Sequence, residues 1–69
     1  MYKIVISERI KQYRIQRHLS QLEIATRMHV TPQAISKWET GSAYPDILLL
    51  PRLAACLDCS VDDFFEKKA

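Results

Sequence analysis

Sixty-nine residues, 48% hydrophobic and 26% charged, allow one soluble domain, and a small one. A chain of this size buries only about 60% of its unfolded surface, so self-association is expected to supplement its core. No apolar run approaches the ~20 residues of a membrane span, MYKIVIS lacks the layout of a signal peptide, and a net charge of +2 is only mildly basic, which predicts a cytoplasmic protein without membrane contact.

Residues 1–6, MYKIVI, lean towards β structure. One short strand cannot pair with itself, so an extended arm packed on the domain is expected, with exchange between two copies as the alternative. Ser7 is placed to cap a helix from Glu8 to about Arg17. In it Ile10 and Tyr13 point inward with Arg14 beside them, while Ile15 has no evident partner. Leu19, just ahead of the next cap, takes the place of a hydrophobic staple.

Residues 20–41, SQLEIATRMHVTPQAISKWETG, carry the strongest local signals. Ser20 and Glu23 form a capping box that starts a helix at Gln21. Ile24, Ala25 and Met28 share one face, and Glu23, Thr26 and Arg27 look outward. His29 and Val30 then lead to Thr31-Pro32, a cap followed by proline at the first helical position. About three residues thus separate two helices, the connection of a helix-turn-helix. In the second helix Ala34, Ile35 and Trp38 face one way, and Gln33, Ser36, Lys37 and Thr40 the other. Gly41 ends it where a positive φ is usual.

Beyond the loop 42–46, Pro51 is tolerable only within a first turn, so the next helix is predicted from near Leu48 to Leu57. Leu50, Leu53, Ala54 and Leu57 form its core stripe. Ser60 caps a last short helix, Val61 to about Glu66, which contributes Val61, Phe64 and Phe65, and 67–69 are expected to fray. Cys56 and Cys59 form one C-x-x-C. A metal would need two further ligands, and His18 and His29 lack the spacing to supply them. A redox motif would need a βαβ context, so two buried reduced thiols are expected. No nucleophile with a base, no paired carboxylates and no phosphate-binding glycine loop are visible. Neither catalysis nor a cofactor, metal or small-molecule ligand is expected.

Charge is unevenly placed. Residues 1–40 hold seven basic side chains against three acidic, and residues 41–69 hold three basic against five acidic. A positive half that carries the helix-turn-helix suits a polyanion.

Ser20-Gln21, Ile24-Ala25, Val30-Thr31, Ile35-Ser36-Lys37-Trp38-Glu39 and Gly41 resemble the Cro and phage-repressor type helix-turn-helix regulators, the xenobiotic-response-element family. Tyr44-Pro45-Asp46, Leu50-Pro51-Arg52-Leu53-Ala54 and Ser60-Val61-Asp62 extend the resemblance over roughly Ser7 to Phe65. It implies an all-α, compact five-helix lambda-repressor-like DNA-binding domain over 7–66, with the helix-turn-helix at 20–41 and a short N-terminal extended arm at 1–6. It also implies an ion pair between Arg14 and Glu39, and a backbone-contacting role for Gln21. The family often has glycine where this chain has His18, His29 and Asp58, residue types tolerated at positive φ.

In that geometry the second helix enters the major groove by its N-terminal end. Gln33 can then make a bidentate contact to adenine, and Lys37 reaches guanine or phosphate. Thr31, Ser36, Thr40 and Ser42 are candidate backbone or secondary contacts, with Arg14 and Arg17 nearby as charge. Pro32 and Ala34 replace residues that are polar in some relatives, which shifts weight to DNA shape. A homodimer on a near-palindromic operator, with half-sites about 34 Å apart, is expected. Its surface is placed at Val61, Phe64, Phe65, Tyr44 and Pro45, although the two phenylalanines could equally close the monomer's own core. The expected function is a sequence-specific transcriptional regulator, most simply a repressor. The alternative is an antitoxin or other protein-binding module, kept open by the mild charge and an exposed Leu22.

Overall fold

The computed structural model describes residues 2–67. Among them four α-helices, two 3-10 turns and a two-stranded antiparallel sheet enclose one core. Ile10, Ile24, Met28, Ile35, Leu53 and Phe64 are its largest fully buried side chains, and Trp38 and Leu57 complete it.

The first strand, β1, is Tyr2–Ile4, and the first helix, α1, is Ile6–Gln16. The helix begins before Ser7, with Val5 at the cap position and no side-chain cap. The expected Ser7 cap is therefore corrected. Val5 and Ile6 are 6% and 4% exposed, and burying them winds the helix back towards the arm. Ser7, now inside the first turn, donates its hydroxyl to the Trp38 carbonyl at 2.6 Å.

Helix α2, Gln21–Met28, starts at the Ser20 capping box. The Ser20 hydroxyl accepts from the Glu23 amide at 3.1 Å, and the Ser20 amide donates back to the Glu23 carboxylate at 3.0 Å. It ends at His29, whose φ of 58° is left-handed. His18 and Asp58 take the same conformation, at φ 56° and 54°. Helix α3, Pro32–Thr40, is capped by the Thr31 hydroxyl, which accepts from the Ala34 amide at 3.1 Å, and it closes on Gly41 at φ 78°.

The chain then makes a 3-10 turn over Ile47–Leu49 before helix α4, Leu50–Cys56. The predicted single helix from Leu48 to Leu57 is split for a local reason. Pro51 has no N–H to give the Ile47 carbonyl, so the Leu50 amide takes that carbonyl instead, one residue tighter. Asp46 caps the turn by accepting from the Leu48 amide at 2.9 Å.

The fifth helix is not formed. Val61–Phe64 is a 3-10 turn, and Phe65–Lys67 is a strand, β2, paired antiparallel with β1 in the register Tyr2↔Lys67, Lys3↔Glu66 and Ile4↔Phe65. The fold is thus mostly helical rather than all-α. Phe64 causes the change: its fully buried ring pulls the chain onto the core, and its carbonyl accepts from the Val5 amide at 2.8 Å, which lays the following residues along the arm. Lys67 is paired rather than frayed; positions 1, 68 and 69 lie outside the described residues.

Three of the five residues expected at a dimer surface are taken up by the monomer instead. Phe64 is fully buried, Pro45 is buried, and Val61 is half-buried against the core. Only Phe65 and Tyr44 of that set are exposed. Among the described residues no helix is long and apolar enough to cross a membrane.

Candidate nucleic-acid interface

The site is built by subtraction. Ile24, Ala25 and Met28 of α2 pack with Ile35 and Trp38 of α3 in the common core, which fixes the angle between the helices and leaves one face of α3 without internal work. On that face Gln33, Lys37 and Thr40 are exposed and Ser36 is half-buried.

The polar residues around this face divide into those already engaged and those free. Thr31 spends its hydroxyl on the α3 cap. Thr40 donates to the Lys37 carbonyl at 3.1 Å and shares a 2.9 Å hydrogen bond with Ser42, which draws the following loop against the helix end. The Gln21 amide lies 3.5 Å from a Glu39 carboxylate oxygen, a long contact that leaves its other face open. Gln33 and Lys37 make no side-chain hydrogen bond among the described residues.

A bidentate ion pair sets the orientation of α3. Arg14 Nε donates to Glu39 Oε2 at 2.7 Å, Nη2 donates to Oε1 at 3.0 Å, and Nη1 reaches the Leu19 carbonyl at 3.3 Å. The Glu39 side chain is 5% exposed and that of Arg14 21%, so the pair is largely out of water. The Arg14 guanidinium is held above its ordinary pKa, chiefly by its hydrogen bond to Glu39 and against the opposing effect of burial.

This geometry corrects two placements. Arg14 was expected to lend charge to a ligand, but its donors are directed at Glu39 and Leu19. Arg17 stacks over the Tyr13 ring at 4.5 Å and pairs with exposed Asp58 at 3.4 Å, so it serves the turn after α4 rather than the face of α3.

Sequence reasoning missed Lys3 and Lys11. They line a cleft with Ser7, Glu8, Glu39, Thr40, Gly41 and Tyr44, between the arm, α1 and the C-terminal end of α3. A signal for Lys11 was present: Ser7, Lys11 and Arg14 follow at i, i+4 and i+7, one face of α1. Ile47 and Leu48 were missed as surface residues; they are 76% and 86% exposed, beside Tyr44 at 55%. Cys56 and Cys59 are free and half-buried rather than fully buried, and burial pushes both thiols up from their ordinary pKa. Among the described residues no group of three or more His, Cys, Asp or Glu could hold a metal.

A helix-turn-helix family pattern matches residues 10–64. The chain belongs to the Cro/C1-type helix-turn-helix family. This is a family of DNA-binding transcription regulators. The chain is 32% identical over 57 residues to the HTH-type transcriptional activator BcrR of Enterococcus faecalis, a match that covers 83% of this chain and 28% of BcrR. Its fold is similar to the P22 c2 repressor bound to synthetic operator 9T, with a TM-score of 0.81 and 29% identity over 90% of this chain and 94% of that one. It is also similar to SinR, the master regulator for biofilm formation, in complex with DNA, with a TM-score of 0.73 and 35% identity over 86% of this chain and 95% of that one. The chain spans half or less of the length of the curated relatives it matches.

Proposed function

We propose that this helix-turn-helix regulator binds a near-palindromic operator in double-stranded DNA as a homodimer, in the cytoplasm, and represses by occluding a promoter. The observation that carries the reading is the open face of α3. Gln33 and Lys37 stand exposed and unengaged on a helix whose other side is core and whose tilt is held by the Arg14–Glu39 pair. Gln33 reads adenine through both ends of its amide, and Lys37 contacts guanine or phosphate. Gln21, Thr31, Ser36, Thr40 and Ser42 supply backbone or secondary contacts, in a DNA-binding unit that spans residues 7–66. The P22 c2 repressor and SinR, to which the fold is similar, were each solved with DNA.

One such unit reads only a few base pairs, so two copies on half-sites about 34 Å apart are needed for specificity. The exposed apolar residues that we assign to that junction are Tyr44, Ile47, Leu48 and Phe65. Selection of a randomised duplex pool at two salt concentrations tests the reading. An enriched near-palindrome, with affinity that falls steeply with salt, is the expected result; no enriched motif would refute it. A second reading, a module whose main partner is a protein such as a toxin, is favoured by Leu22, 60% exposed on α2. Specific DNA binding that survives Leu22→Ser unchanged in a strain lacking any co-purifying partner would remove it.

A further inference from the structure

We infer that the outer face of the segment 47–55 is the apolar centre of the homodimer. A second copy of this chain packs its own 47–55 segment against it, antiparallel, about a two-fold axis beside Leu48. This rests on the homodimer reading above and names the surface and the register through which the two copies join.

The segment is apolar on both sides. In residues 47–56, ILLLPRLAAC, Arg52 is the one charged residue. Leu53 and Ala54 belong to the core, and Leu49 and Leu50 pack against it. Ile47, Leu48, Pro51 and Ala55 are left exposed on the 3-10 turn and the outer face of α4, at the i, i+1, i+4 and i+8 spacing of one helical stripe. Leu48 is 86% and Ile47 76% exposed, more than any other large hydrophobic residue among those described. A helix that is apolar all round is ordinarily buried all round, and this one has no cover on its outer side.

Charge identifies the occupant. Asp46 stands at the start of the stripe and Arg52 at its edge, both exposed, and neither forms an ion pair among the described residues. One Asp46 oxygen accepts from the Leu48 amide at 2.9 Å and the other is unengaged, while Arg52 commits only Nη1, in a long 3.4 Å contact to the Met28 carbonyl. A stripe with an acid at one end and a base further along is complementary to itself when turned through half a circle. An antiparallel pair centred near residue 49 sets Asp46 beside the partner's Arg52, Ile47 beside the partner's Pro51, and Leu48 against the partner's Leu48. The two-fold makes each of the outer contacts twice. Pro51 suits the position, since it has no N–H to strand beneath the partner. The two ion pairs lie at the rim, where they fix register more than strength.

A centre of four apolar residues is small beside the roughly 20–30 residues that each side contributes to a standard interface. The dimer is therefore weak in free solution and tightens on DNA, where two half-sites hold the copies together. It also adds apolar burial that a chain of this length lacks.

Sedimentation velocity of the intact chain, from micromolar to near-millimolar concentration, should show a reversible monomer–dimer equilibrium. Leu48→Glu should leave only monomer over that range with the circular dichroism melt unchanged, because the side chain it replaces is 86% exposed. D46N, which keeps an acceptor for the Leu48 amide, and R52Q should each weaken the dimer by about 3- to 10-fold. D46N/R52Q should lose little more, since both changes remove the same two pairs. A dimer that survives L48E, or one for which the losses in D46N and R52Q are absent or simply add, would overturn the inference and leave a homodimer through another surface standing. An intact chain that stays monomeric in solution and binds the selected duplex as a single copy would overturn the homodimer reading with it, and give the stripe to a different protein.

Discussion

Replacing Arg14 by methionine isolates what the ion pair contributes. The stem is kept in length, while Glu39, 5% exposed, loses both charge-assisted donors that hold its carboxylate. Removing one partner of a fully buried pair costs about 3–5 kcal/mol, because the survivor is a stranded charge. Arg14 is 21% exposed, so water can reach part of the vacated space, and about 2–3 kcal/mol is expected. That is a large share of the roughly 3–10 kcal/mol available to a chain of this length. It should lower the melting temperature by about 10–20 °C. Urea unfolding of R14M, E39Q and the double variant gives the coupling as a cycle. The double variant should be markedly less destabilised than the sum of the two single changes. A cost for R14M below about 0.5 kcal/mol, the range of an exposed pair, or a cycle without coupling, would refute the view that this pair fixes the tilt of α3.

Four further outcomes are expected. Ser20→Ala should cost about 1 kcal/mol in urea unfolding, as loss of a helix cap. The Ser20 amide holds the Glu23 carboxylate below its ordinary pKa, and the Ser60 amide does the same for Asp63. A depressed carboxylate adds stability that is present above its unfolded pKa, about 4.3 for Glu and 3.9 for Asp, and is lost as pH falls through the folded value. Melting temperature should therefore drop below about pH 4, and less steeply in E23Q/D63N. His29→Gly should be neutral or stabilise by up to ~1 kcal/mol, since it relieves a side chain at positive φ; a clear fall in melting temperature would contradict this. Gln33→Ala should cost about 1–3 kcal/mol at one base pair and relax preference there, whereas Lys37→Ala should weaken all sequences alike if it meets phosphate, as competition with single-base operator variants would reveal.

The middle of the chain was readable because its signals are local. The Ser20–Glu23 box, Thr31-Pro32 and Gly41 each act within four residues, so both ends of α3 could be placed before any packing was known. The left-handed turns at His18, His29 and Asp58 were legible by analogy with glycine positions of the resembled family. The two ends were not readable for the opposite reason. Ser7 looked like a cap, yet Val5 and Ile6 are drawn into a core completed by Phe64, nearly sixty residues away. The same distant contact turned the last helix into a strand and gave the arm a partner within its own chain. Arg17 and the cleft of Lys3 and Lys11 depend on which elements become neighbours, which periodicity alone does not specify.

The β1–β2 ladder also makes the domain a closed loop whose two ends leave from one place. Relatives matched here are longer than this chain. A module joined after its last residue would be tethered beside β1, and tension on that tether would act first on the Tyr2–Lys67 end of the ladder and last on Ile4 and Phe65. The strain would then pass through the Val5–Phe64 hydrogen bond into the first turn of α1, where Ser7 holds the Trp38 carbonyl. A pull or a docking event at the tail is thus mechanically in series with α3.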